Sequence, residues 1–162
     1  MRKLFVWLAL SIGAVMIVTS SAGALSAPST GSARLHPYDR SGVKARISFL
    51  DTRDDNTGLI VSGTATGLDP DKVYISLIYD NGSVPGGPQA CEPADNTLDE
   101  EQMFAGRWQV NADGTGTLFF IMSQGAYVPL SGFDTISIRG AAVLGPPETF
   151  QLVACGQVSR HK

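Results

Sequence analysis

The chain has 162 residues, 12 Lys and Arg against 15 Asp and Glu, and a formal net charge of −3. That length holds one domain behind a leader segment, not two. The acidic balance, with no run of Lys and Arg, argues against nucleic acid as a partner, because phosphate binding needs basic clusters.

The N-terminus is patterned in three parts. Arg2 and Lys3 precede an apolar run from Leu4 to Val18, broken by Ser11 and Gly13, and the small residues Thr19 to Ala24 follow. Basic, apolar and small-residue regions in that order make a secretory signal peptide. The apolar run is shorter than the ~20 residues a spanning helix needs. The pattern therefore predicts a leader over residues 1–26, cut after Ala24 or Ser26, and no membrane span in the mature chain. Losing Arg2 and Lys3 makes the remainder two units more acidic. Residues 27–43 are rich in Ser, Gly and Pro and read as a flexible lead-in.

From Lys44 the pattern changes to strands and turns. Arg46-Ile47-Ser48-Phe49 alternates polar and apolar, as a half-buried strand does. Leu59 to Thr66 is a second strand, ended by Gly67-Leu68-Asp69-Pro70. Val73 to Tyr79 is a third, rich in β-branched and aromatic residues. A long loop from Ser83 to Ala105 carries Pro85, Pro88 and Pro93. Arg107 to Asn111 and Thr115 to Met122 flank the turn Ala112-Asp113-Gly114. Within the second of these, Phe119-Phe120-Ile121-Met122 must send alternate residues to opposite faces, so one phenylalanine points outward; Phe120 is the candidate for a contact surface. A second loop runs over 123–132. Asp134 to Arg139 and Phe150 to Val158 complete the set. The fold class is all-β, an antiparallel barrel or sandwich of about seven or eight strands.

Chemistry-bearing residues are few. Cys91 and Cys155 both lie in the exported part, which favours a disulfide; the alternative is a pair of free thiols, which no C-x-x-C supports. Glu92, Asp95, Asp99, Glu100 and Glu101 crowd the long loop. They are oxygen donors of the kind calcium takes, but their spacing fits no calcium loop. The group reads as a solvated acidic face and a candidate binding surface. Met103 and Met122 are soft ligands in principle and core filler by habit. The only histidines, His36 and His161, stand near the two ends, and no G-x-S-x-G accompanies a serine.

The order "IVSGTATGLDPDKVYISLIYD" (Ile60 to Asp80), Cys91, "GRWQVNADGTGTL" (Gly106 to Leu118), "ISIRG" (Ile136 to Gly140) and "LVACGQV" (Leu152 to Val158) resembles the copper/zinc superoxide dismutases. The resemblance covers residues 44–158. It implies a Greek-key β-barrel and a bridge between Cys91, in the long loop, and Cys155. It also locates the family's functional positions. The copper-binding H-V-H strand matches Ile75-Ser76-Leu77. The zinc aspartate matches Arg107, the last copper histidine Arg139, and the substrate-guiding arginine Leu152. None of these side chains donates to a metal as the family's ligands do. The expectation is a secreted, non-catalytic domain of this kind, without cofactor, that serves as an interaction or structural module toward an extracellular protein or ligand. The alternatives are a metal-dependent dismutase with atypical ligands, or a binder of small ligands or glycans through the long loop, with Trp108 as its fluorescent reporter.

Overall fold

The computed structural model describes residues 27–53, 57–80, 91, 96–146 and 149–161. The leader assigned to 1–26 lies outside the described residues, as do Glu92 and Asp95. The described residues form nine strands: β1 (Ser29–Pro37), β2 (Lys44–Asp51), β3 (Leu59–Thr66), β4 (Val73–Tyr79), β5 (Phe104–Arg107), β6 (Gln109–Val110), β7 (Gly116–Met122), β8 (Thr135–Ala141) and β9 (Gln151–His161). Among them the one α-helix is a single turn, α1 (Glu100–Met103).

The strands form one antiparallel sheet in the order β5-β4-β8-β9-β1-β2-β3-β7-β6. Its two ends are consecutive pieces of chain. β5 pairs with β4, β6 pairs with β7, and only Trp108 separates them. One bent segment thus bridges the ends of the sheet and nearly closes a barrel. β4, β5–β6 and β7 are successive neighbours, and β8 returns to lie beside β4, which is a Greek key.

Strand alternation builds the core. In β2, Ala45, Ile47, Phe49 and Asp51 are buried, while Lys44, Arg46, Ser48 and Leu50 are exposed. The same period in β3 and β7 sends Leu59, Val61, Leu118 and Met122 inward. Phe49 meets Phe133 edge-on, with ring centroids 5.4 Å apart. The Trp108 indole N–H donates to the Ser76 hydroxyl at 2.9 Å inside the barrel. Asp51 is the buried carboxylate at one end. It accepts hydrogen bonds from the Leu130 N–H (2.9 Å), the Tyr127 hydroxyl (2.8 Å) and the Arg53 N–H (2.9 Å). That tie fastens the segment 123–134 across the barrel mouth.

The structure corrects two expectations here. Residues 27–43 are not a loose lead-in, because β1 occupies most of them and sits between β2 and β9. Two flanking strands satisfy its backbone, so Ala33 and Leu35 suffice as its inward residues. The strand count rises to nine because β1 is added and the segment expected at 107–111 divides into β5 and β6. The division falls at Trp108; within β5, Gly106 has a φ of +111° and approaches Phe120 so closely that a Cβ there would lie 2.6 Å from the Phe120 Cβ.

Candidate functional site

β4 is buried on both faces. Tyr74, Ser76 and Ile78 point into the barrel; Ile75, Leu77 and Tyr79 point outward and are nonetheless covered. The five positions singled out from the family resemblance meet on this outer face. Ile75 stands directly opposite Arg107 on β5 and opposite Arg139 on β8. Arg139 stands opposite Leu152 on β9. The pairing steps from Ile138↔Ala154 to Arg139↔Leu152, so Val153 is an extra residue and β9 bulges there. The bulge reverses the side-chain parity, which lets Leu152 and Cys155 share one face.

What fills that face is a second apolar cluster, separate from the barrel interior. Ile75, Leu77, Tyr79, Cys91, Phe150 and Leu152 form it, and Met103 and Phe104 pack on its edge. Cys91 and Cys155 are joined by a disulfide, which fixes Cys91 to β9 over the cluster. Arg139 lies half-buried beside it. Its Nε donates to the Tyr79 hydroxyl at 2.9 Å and its Nη2 to the Cys91 carbonyl at 3.0 Å. The guanidinium also sits 5.9 Å from the Tyr79 ring centroid, within cation–π range. Arg139 is thus a clip on Cys91, and its Nε, Nη1 and Nη2 donate to hydroxyl and carbonyl oxygens. Arg107 is exposed at the margin.

Among the described residues the face therefore offers hydrocarbon, one disulfide and one clipped cation, and no acid–base pair. Among the described residues no three His, Cys, Asp or Glu side chains gather as a metal site would require. Met122 belongs to the barrel core and Met103 to the outer cluster, so the two thioethers are on different faces. His36 and His161 lie on the exposed side of β1 and β9, where His161 Nε2 is 2.9 Å from the Ser32 hydroxyl.

The acidic segment has a local role. The Asp99 side chain accepts from the Gln102 N–H at 2.9 Å, and the Gln102 side chain accepts from the Asp99 N–H at 3.2 Å. This capping box starts α1. Glu100 and Glu101 follow in its first turn, exposed. Two aromatic expectations change. Phe120 is not the outward ring: it packs edge-on against Phe104 at 5.1 Å. Phe119 is outward, 69% exposed, because Leu118 and Met122 set the inward parity. Trp108 is buried in the barrel and cannot report directly on a surface ligand.

One turn carries a pH signature. Asp113 accepts from both the Thr115 hydroxyl (2.6 Å) and the Thr115 N–H (2.9 Å). These bonds favour the charged form and hold its carboxyl below the usual value, the side-chain hydroxyl contributing most. A lowered folded pKa stabilises the hairpin above the unfolded value near 3.8, and that contribution fades as pH falls through the folded value. A carbon-detected titration of Asp113 will give a lower midpoint in the native chain than in a Thr115→Val variant. Equal midpoints would refute the assignment.

The outward side of β1, β2 and β3 is a feature the sequence reading did not anticipate. Arg34 and Arg46 are direct cross-strand partners, with Thr64 next in the same row. Lys44 and Thr66 are partners in the neighbouring row, near His36. These side chains border an open depression of about 420 Å³. Beside it, Ser159, Ser32, Ser48 and Ser62 form one unbroken cross-strand row that ends at Phe119. No stretch of sequence shows this, because its members come from five strands.

Comparison with protein-family models finds none that matches, and comparison with curated proteins finds no match either.

Proposed function

We propose that the chain is a secreted, non-catalytic β-barrel of the copper/zinc superoxide dismutase kind that acts as an interaction or structural module. One observation carries the reading. The five positions at which the resemblance locates metal ligands and the substrate-guiding arginine converge on one outer sheet face, and aliphatic side chains and a hydrogen-bonded arginine occupy it. A site that was merely misaligned would scatter those positions over the barrel. Aliphatic carbons hold no lone pair for copper or zinc, and the cation of Arg107 opposes a second one. The disulfide and the three-part N-terminus fit export to an oxidising compartment.

The test is metal content and activity of the mature protein. After loading with copper and zinc and removal of the excess, the protein will retain far less than one metal per chain and will not accelerate superoxide decay. One tightly held copper per chain together with dismutation would overturn the proposal and put the atypical-ligand enzyme in its place.

A further inference from the structure

We propose that the outward face of β1, β2 and β3, with the adjoining ends of β7 and β9, binds an acidic polysaccharide. The inference deepens the interaction role proposed above and rests on it; polymer binding and metal loading are separate measurements, so either can fail alone.

The charge pattern is the first argument. The chain carries net negative charge, yet this face gathers Arg34, Lys44 and Arg46 with His36 alongside. Among the described residues these three cations have no carboxylate partner. Arg34 and Arg46 stand directly opposite one another. Like charges in that position destabilise a sheet, so the pair opposes the fold it sits on, and such conflicts mark functional positions. An anionic partner removes the conflict.

The neighbouring rows select the kind of anion. Adjacent strands lie about 4.8 Å apart, so the serine row is evenly spaced, with the Ser32 hydroxyl shared with His161 Nε2, and Thr64 and Thr66 extend the hydroxyl supply toward the cations. These groups both donate and accept, as sugar hydroxyls require. Phe119 lies at the end of the serine row, 69% exposed, and offers a flat apolar surface for the face of a pyranose ring. Guanidinium groups pair with carboxylate or sulfate in bidentate fashion. Cations, hydroxyls and one exposed ring on one outer sheet face together match a sugar polymer bearing acid groups.

The test uses the mature protein and two probes, heparin for a sulfated chain and polygalacturonate for a carboxylated one. The wild type will bind at least one, with affinity that falls as salt rises. Arg34→Ser combined with Arg46→Ser will weaken binding about tenfold while holding or raising the melting temperature, because it relieves the repulsion. Phe119→Ser will weaken binding and leave the salt dependence unchanged. Arg107→Ser, an exposed arginine on the other side of the barrel, will leave binding as it was. The proposal is overturned if neither polymer binds, if the double variant binds as the wild type does, or if Arg107→Ser loses as much as the double variant. Binding to vesicles of phosphatidylglycerol but to neither polymer would also overturn it, in favour of a membrane surface.

Discussion

Opening the Cys91–Cys155 bridge will lower the free energy of unfolding by about 4 kcal/mol. The two cysteines are 64 residues apart, so the bridge constrains the unfolded chain over a long loop. In the native state it does something further. Cys91 is fully buried in the outer cluster, and its carbonyl receives the Arg139 guanidinium. Without the bridge, Cys91 keeps, among the described residues, that hydrogen bond and the apolar contacts of the outer cluster. Urea unfolding of the Cys91→Ala/Cys155→Ala variant will therefore show a lower midpoint, and the oxidised wild type will lose a comparable amount in strong reductant. A midpoint that does not move on reduction would show that the outer cluster holds the loop without covalent help. Part of the loss in the alanine variant comes from the space left at Cys91, and the reduced wild type separates that part from the loop entropy.

The Asp51→Ala variant will lose about 3 kcal/mol of stability. Its carboxylate serves three donors in a buried position. Truncation strands the buried Leu130 N–H and removes the acceptor of the Tyr127 hydroxyl. Asp51→Asn is the sharper variant. An amide keeps the volume but turns a donor toward one of the existing donors, so it will lose nearly as much. Tyr127→Phe removes a single partner and will cost about 1 kcal/mol. If Asp51→Asn unfolds within about 0.5 kcal/mol of the wild type, as an ordinary surface change does, the carboxylate is not what fastens the segment.

The strand at Lys44–Asp51, buried on one face, was legible because period two announces it over residues 46–49. Leu59–Thr66 is found where the turn signals bound it, and Val73–Tyr79, buried on both faces, where β-branched and aromatic residues gather. β1 was hidden for a physical reason. A strand paired on both edges needs few large residues of its own, and Ser29, Gly31 and Ser32 look like linker. Gly31 is in fact a close-packed position, since a Cβ there would lie 3.1 Å from Leu130. The Phe119–Phe120 parity was ambiguous in sequence because both alternating sets are apolar there; Leu118 and Met122 take the inward face, and Phe120, of the same parity, packs on Phe104 and Gly106.

The outer apolar face was legible only as a set of positions. Its members became neighbours through strand register and through the extra residue at Val153, neither of which spacing reveals. The basic face was not legible at all. Arg34 is twelve positions from Arg46 in the chain, and composition registers the two as isolated cations in an acidic protein. Only the antiparallel pairing of β1 with β2 makes them adjacent.

The seam between β1 and β9 sets the order in which the molecule can be completed. Thr30 is paired with His161, so the first strand finds its second neighbour only when the last one has emerged. During synthesis the N-terminal hairpin of β1 and β2 can form, but one flank of β1 stays open until nearly the whole chain exists. Contacts of such sequence separation are slow to close. A polypeptide of this design remains incomplete, and therefore threadable through a narrow channel, for longer than one whose contacts are local. It also exposes an unpaired strand for that whole interval, the condition under which a chaperone or a second chain would find it.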